Sequence, residues 1–333
     1  MMLGIDRRMF LMGAGGSFLA ACSGEQSAGR LRTCLAGGAN PDANGVWIWM
    51  EACLNLLRQN GMDFLLSTNA ALGREEDRSE LVGLGLLHLN DAGISEVTAF
   101  SDIYLTAQLP FLFDDLAHFD RLISDPEFLQ DVNEELGRAG LVLIDAAFLG
   151  GMSGIFTTRQ PVHSLEDMRR LRLRAMDRRD LVLIRAFGAE GVQVAWEETA
   201  QALQTGIADG YLNPPLAPVL FGHGTYLRYF TDLRIAPAHR LIVASARWLE
   251  RLTSNERALL EKAFRAGHRA NRAWTVERQS NDLESLASMG IEAIVPGAED
   301  REQFKTRARA AYPEYAPAGL IRKAEALAGK VAE

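Results

Sequence analysis

The sequence predicts an α/β protein of two domains, with parallel or mixed sheets flanked by helices. Three observations carry that prediction. The chain has 333 residues, which suits two domains of roughly 100–200 residues each. Short apolar runs alternate with helix-length amphipathic segments, the pattern of parallel-sheet domains rather than of a sandwich or a bundle. The composition, 48% hydrophobic and 23% charged, is that of an ordinary globular chain and excludes intrinsic disorder, collagen and a polytopic membrane protein. The formal net charge of −8, from 35 Lys and Arg against 43 Asp and Glu, argues against duplex nucleic acid as a partner. It leaves room for a local basic pocket that holds a small anion.

Residues 1–21 read as an address. Arg7-Arg8 followed by Met9-Phe10-Leu11 resembles a twin-arginine export signal, and Met9 to Ala21 is free of charge. That stretch is shorter than the roughly 20 residues a bilayer span needs, so it is expected to be a leader and not a transmembrane helix. Leu19-Ala20-Ala21-Cys22 resembles a lipobox, which makes Cys22 the expected lipidation site and the periplasm the expected location. Residues 22–30 are small and polar, a tether between anchor and folded body.

The folded body then begins. LRTCLAGG reads as a strand, VWIWMEACLNLLRQNG as a helix, MDFLLSTN as a strand, and Glu75–Leu87 as a helix leading into the strand HLNDAG. DPEFLQDVNEELGRAG precedes the strand LVLIDAAFL, and LRLRAM precedes the helix DRRDLVLIRAFGAEG. VQVAW, the helix EETAQALQTGIADG and the strand HRLIVASAR follow. From Thr253 to about Met289 there is no Pro and one Gly, Gly267, behind a capping box Thr253-Ser254-Asn255-Glu256. Leu259, Leu260, Ala263, Phe264, Ala270, Ala273 and Trp274 recur there at helical spacing. The expected helix is roughly 50 Å long and either braces two lobes or breaks near Gly267; the brace is the favoured reading. Cys34 and Cys53 are expected to be free buried thiols rather than a disulfide, and nothing in their spacing suggests metal.

Two catalytic patterns fail on inspection. Gly150-Gly151-Met152-Ser153-Gly154 has its first glycine misplaced for a nucleophile elbow. Gly83-Leu84-Gly85-Leu86-Leu87-His88 lacks the third glycine of a dinucleotide fingerprint and sits in a helical pattern. No two of the six histidines fall at i, i+4. Arg169, Arg170, Arg172, Arg174, Arg178 and Arg179 form a basic patch, most of which reads as a solvated loop face.

Three stretches together resemble the solute-binding subunits of tripartite ATP-independent periplasmic (TRAP) transporters, the DctP-type family. They are Leu109-Pro110-Phe111-Leu112-Phe113-Asp114-Asp115, then Pro161 to Arg174 with its Leu165-Glu166-Asp167-Met168 core, then Glu198 to Asn213 with Ala202-Leu203-Gln204-Thr205-Gly206 and Asp209-Gly210. The resemblance runs in register from about residue 31 to the C-terminus. It implies a two-lobe periplasmic-binding-protein fold with lobes cross-connected: 31–152 plus about 239–275, and 153–238 plus about 276–333. It implies capture of a small organic acid in the interlobe cleft, with no cofactor and no metal, and delivery to a membrane permease of a small and a large subunit.

By the same resemblance Arg174 pairs with the ligand carboxylate, for which a planar guanidinium fork is suited; the alternative is a structural ion pair. Asn213 is expected to give the ligand a donor and an acceptor. Trp196 forms an apolar wall or a plain core contact. Many relatives carry a second arginine where this chain has Ser153, and Ala200 and Leu212 replace a tyrosine and a glutamate. These departures imply a less charged pocket, in which a monocarboxylate with an apolar or hydroxylated body is at least as well suited as a C4-dicarboxylate. First-lobe candidates are Asn40, Ser95 and Glu96. The rival readings are an exported enzyme, for which no nucleophile–base pair or carboxylate dyad can be placed, and a sensory binding module.

Overall fold

In the computed structural model, which describes residues 30–69 and 71–331, short apolar runs become strands where polar caps start the intervening helices. The leader, Cys22 and the tether up to residue 29 lie outside the described residues. In chain order the strands are β1 (Leu31–Cys34), β2 (Phe64–Ser67), β3 (Leu89–Ala92), β4 (Leu141–Met152), β5 (Gly154–Thr157), β6 (Arg172–Ala175), β7 (Glu190–Gln193), β8 (Gly210–Asn213), β9 (Tyr229–Thr231), β10 (Pro237–Ser245) and β11 (Glu292–Ile294). The first sheet has the order β2-β1-β3-β10-β4 and the second β11-β9-β5-β8-β6-β7. Parallel pairs join β1 with β2 and β3, β6 with β7 and β8, and β9 with β11. β10 runs antiparallel to β3 and β4, and β5 antiparallel to β8 and β9.

The caps explain where helices begin. Asn44 accepts from the amides of Val46 (3.1 Å) and Trp47 (3.3 Å) to open the helix Gly45–Gln59. Asp125 accepts from Phe128 (3.0 Å) ahead of Pro126–Leu136, whose proline occupies the first turn. The helix from Glu75 stops at Gly83 instead of reaching Leu87. Gly85 has φ +75°, and a Cβ on Gly83 would stand 2.4 Å from the carbonyl of Ala139, so the chain turns out against that loop. Each face of the first sheet carries its own apolar cluster. Trp49, Met50, Cys53 and Leu57 fill one; Cys34, Phe119, Phe128 and Val132 fill the other. The two thiols therefore belong to different clusters, and both are free.

The helix Ser254–Ser288 is continuous and spans both lobes. Its Leu260 and Ala263 enter the cluster beneath the first sheet, and Leu286 enters the core of the second. Gly267 is a crossing point and not a break: a Cβ there would stand 2.7 Å from the carbonyl oxygen of Trp49 and 2.8 Å from its ring. One turn on, the fully buried Asn271 donates to the carbonyls of Gly45 (2.8 Å) and Phe148 (3.0 Å) and accepts from the Phe148 amide (2.9 Å). The apolar stripe expected through Ala270, Ala273 and Trp274 is thus replaced by buried Asn271, Thr275 and Asp282. Ala273 is exposed, and Trp274 donates its indole N–H to Pro41.

The chain passes between lobes at Ser153, whose amide donates to Ala236 and whose carbonyl accepts from Ile235, both at 2.8 Å. Phe111 reaches across from the first lobe and is buried in the core cluster of the second. It adopts φ +58° and donates its amide to Ile235 at 2.6 Å. The helix Ala318–Lys330 returns to the first lobe: Ala324 and Ala328 join the cluster of Phe119, and His118 bonds the Ala328 carbonyl (2.8 Å). The expectation that everything beyond about residue 276 belongs with the second lobe is therefore corrected for this helix, whose alanine face is complementary to the first.

Two predictions follow from the brace. Gly267→Ala improves intrinsic helix propensity by about 1 kcal/mol, yet it is expected to lower stability by about 1–3 kcal/mol because backbone and ring must give way; urea unfolding measures the sign. Asp282, 4% exposed, packs against the crossover glycines Gly150 and Gly151, with Arg278 3.8 Å away. Burial pushes its carboxyl up to about 6, opposed by Arg278 and the Gly151 backbone. The folded state then keeps a proton that the unfolded chain has lost, so this group's contribution to stability declines as pH rises from about 4 to about 6. Asp282→Asn is expected to be the more stable protein at pH 7.5, by up to about 3 kcal/mol. At pH 4 the two proteins should unfold together in parallel denaturation series.

Candidate functional site

The C-terminal ends of parallel strands are where open α/β sheets present side chains to a ligand, and β6 and β8 end side by side in the second lobe. Arg174 is aligned with Tyr211 across that pair. Asn213, two residues further along β8, shares the side of the sheet that Tyr211 occupies. Asn213 also pairs in register with Gly154, the residue after Ser153 at the crossover. The arrangement brings Arg174, Asn213 and the crossover to one end of one sheet.

Arg174 differs from its arginine neighbours. Arg169 pairs with Glu166 (2.7 Å), Arg172 with Asp209 (3.4 Å) and Arg179 with Asp177, while Arg170 and Arg178 are exposed. Arg174 is 4% exposed and makes no ion pair among the described residues. Its Nε donates to the carbonyl of Val194 at 3.0 Å, and its guanidinium carbon lies 5.1 Å from the centre of the Trp196 ring. Its Nη2 is buried with no hydrogen-bond partner among the described residues. Burial lowers the hold of this group on its proton, and the more distant Asp180, Glu197 and Asp177 act against that. An arginine stays charged regardless, so the site is a desolvated cation with a donor left over.

An aromatic group surrounds it. Trp196 is half-buried and meets Phe221 edge to face at 4.6 Å, His223 at 5.3 Å and Tyr211 at 6.2 Å between ring centres. His223, 4% exposed, lies with Nδ1 3.4 Å from the Tyr211 hydroxyl. Burial and the Arg174 charge both push its pKa down, so its ring is neutral at pH 7. Tyr211 and His223 were not singled out from sequence; the alternation along GYLN that puts Tyr211 in step with Asn213 was the available signal.

The first lobe offers a charged network at the ends of β1 and β3. Arg240 donates through Nη2 to Glu75 (2.6 Å) and through Nε to Asp91 (3.0 Å). Asp91 also accepts from the Ala36 amide at 2.7 Å, and Arg78, 1% exposed, stands 3.6 Å from Glu75. Burial works against the charge of Arg240, and Asp91 and Glu75 more than offset it. Sequence reasoning passed over Arg240, although an arginine one position into an otherwise apolar strand was a usable sign.

Ser95 and Glu96 stand in the short helix Ile94–Thr98 that follows β3. Burial, then Glu75 and Glu76, raise the carboxyl pKa of Glu96, which ties it to this network. The helix is also in contact with the second lobe through Thr98 and Arg179 (3.0 Å). Asn40 is exposed, and its side chain accepts from the Asp42 amide (2.9 Å) to close a turn; among the described residues no hydrogen bond or ion pair joins it to the Arg174 group. Ser153 is half-buried at the crossover, held by its backbone.

With this geometry in place, likeness to known proteins becomes informative. Residues 60–318 match the family described as bacterial extracellular solute-binding protein, family 7 (DctP). The sialic acid-binding periplasmic protein SiaP of Vibrio cholerae is 25% identical over 271 residues, 79% of this chain and 80% of its own length. A TRAP periplasmic solute-binding protein of Anaerococcus prevotii, solved with glucuronate, superposes with a TM-score of 0.79 at 20% identity, covering 90% of this chain and 98% of its own. One from Shewanella oneidensis, solved with succinate, gives a TM-score of 0.81 at 15% identity, covering 91% and 99%. At those identities the two structures establish a common two-lobe fold.

Proposed function

This chain belongs to the bacterial extracellular solute-binding proteins of family 7, and from that premise we propose that it captures a small organic acid between its lobes and hands it to a TRAP membrane permease. In this reading the protein works in the periplasm, anchored through Cys22, and performs no chemistry on its cargo. The single observation that carries it is Arg174, a buried guanidinium without a counter-charge and with an unpartnered Nη2. A carboxylate supplies both the missing charge and the missing acceptor, in the two-point geometry a guanidinium favours. Trp196 stacks on the cation, and Asn213 offers a further donor and acceptor beside it.

The ligand class we favour is a monocarboxylate with a hydroxylated body. By the resemblance of residues 151–157 to the family, Ser153 takes the place of a second arginine. On the first lobe, Arg240 is already engaged by Asp91 and Glu75, so it offers no free charge to a second carboxylate. Half-exposed carboxylates such as Glu75 and Glu96 accept hydrogen bonds from hydroxyls and repel a second anion. Lobe closure excludes water, which strengthens the ion pair at Arg174. The desolvation of the arginine has largely been met on folding, so binding is opposed by the ligand's own desolvation and by the freedom lost on association and lobe closure. Hinge rotation about the crossovers is the expected motion.

The test is thermal unfolding of the purified protein with D-glucuronate, pantoate, succinate and glucose, each added at rising concentration. An acid at about 100 times its dissociation constant adds roughly 2.7 kcal/mol of stability. Arg174→Met is expected to weaken binding of the stabilising acid at least a hundredfold while leaving the unliganded protein no less stable, because an unpaired buried charge has been removed. Unchanged affinity in that variant would overturn the site; stabilisation by glucose alone would overturn the carboxylate reading.

A further inference from the structure

Beyond ligand capture, one contact joins the lobes directly beside the cleft. The helix Arg178–Ala186 of the second lobe starts at Asp177, whose Oδ1 accepts from the amides of Arg179 (2.8 Å) and Asp180 (3.3 Å). The Oδ2 of the same carboxylate receives both Nε (3.0 Å) and Nη2 of the Arg179 side chain. One carboxylate thus caps the helix and fixes the guanidinium plane. Held in this way, Arg179 directs its remaining Nη1 at the Thr98 hydroxyl of the first lobe, 3.0 Å away. The Thr98 hydroxyl proton is engaged by the carbonyl of Ile94 (3.0 Å) or Ser95 (3.3 Å), so its oxygen is turned toward Arg179 as an acceptor. Donor and acceptor are each oriented by their own lobe before they meet.

We propose that Asp177, Arg179 and Thr98 form an interlobe latch that holds the closed form and sets the Ser95–Glu96 turn opposite Arg174. Asp177 lies three residues beyond Arg174, and Thr98 lies in the same short helix as Ser95 and Glu96. Opening the lobes must part Thr98 from Arg179, whereas the pairings at Ser153 and Phe111 lie at the crossovers between lobes. Arg179 and Asp177 are 23% and 29% exposed, so the bond is partly screened. Arg179 and Thr98 are positioning residues: they act on the cleft by holding its two walls together and need not touch the cargo. The latch biases closure in the empty protein as well, which makes it independent of the identity of the cargo.

The experiment measures the interlobe distance without ligand, by pulsed dipolar spectroscopy on nitroxides placed through Arg138→Cys and Glu190→Cys in a Cys22→Ser background. The native Cys34 and Cys53 are buried, and burial raises their thiol pKa values to about 11 and about 12, so they resist labelling. The parent is expected to populate a short distance. Thr98→Val and Arg179→Gln should each lower the closed-to-open ratio by about tenfold, as loss of one charge-assisted bond does. Their double variant should fall no further than either alone, and Thr98→Ser should keep the parent distribution. Identical distributions in parent, Thr98→Val and Arg179→Gln would overturn the latch, as would a parent found only at the long distance. Because no cargo is added, these outcomes are separate from any failure of carboxylate binding.

Discussion

Keeping a guanidinium out of water with no carboxylate beside it costs several kcal/mol, and the second lobe is arranged around that constraint. β6 lies between two parallel neighbours, so the backbone beneath Arg174 has little freedom. Val194 takes its Nε, Trp196 covers its face, and the neighbouring His223 is kept neutral. Asp177 and Asp180, the nearest acidic groups in sequence, are turned to other tasks: the first caps a helix and clamps Arg179, and the second accepts from the Met176 amide. Had either been free to swing to Arg174, the cation would be satisfied internally and an anion would have to displace it. The site is therefore pre-organised by the diversion of its own carboxylates.

Such a site is useful only if a second wall can close over it, and the connections between lobes reconcile motion with order. The crossover at Ser153 is pinned by two backbone hydrogen bonds, which fix where rotation occurs. Phe111 accepts a left-handed backbone that disfavours a bulky residue, and burial of its ring in the second lobe's core holds it there. The long helix is stitched to the first lobe by Asn271 and meets the second through Leu286, so each lobe grips a different end. A brace attached in this way limits sliding more than bending.

Much of this was legible in the sequence, and the omissions have a common cause. Strand and helix order, the unbroken long helix, and the location of Arg174 and Asn213 on strands and of Trp196 just after one follow from local periodicity and short motifs, which are properties of neighbouring residues; their proposed site roles come from the family resemblance. Arg240, Asn271 and Asp282 were not legible because their meaning depends on partners far away in the chain, such as Asp91, Phe148 and Gly151. Asn271 and Asp282 also violate the pattern that sequence reading relies on: they place polar groups on the buried face of a helix. In the basic patch, Arg174 carries the same local signature as Arg169 and Arg172. Only tertiary packing separates the one left unpaired from those that are paired. Asn40 is the converse case: an exposed turn residue after a first strand reads as a ligand contact, and in the fold its side chain accepts from the Asp42 amide to shape its own loop.

If the cargo binds at Arg174 as proposed, the charges of the two lobes limit what the protein can hold. On the second lobe Arg174 is buried without an ion pair among the described residues; on the first, Arg240 is committed to Asp91 and Glu75, Arg78 stands 3.6 Å from Glu75, and Glu96 sits in the field of Glu75 and Glu76. In that binding mode, a ligand anion on Arg174 would turn its other end toward the first lobe, whose groups accept hydrogen bonds and carry negative charge. Hydroxyl groups meet that wall favourably, since each donates a proton to an acceptor already held in place. A second carboxylate meets repulsion in a space from which closure has excluded water, where screening is weakest. In the proposed binding mode discrimination comes from the paired charges as much as from the unpaired one: Arg174 favours an acid, and an arginine already engaged by Asp91 and Glu75 withholds a second anchor from a dicarboxylate.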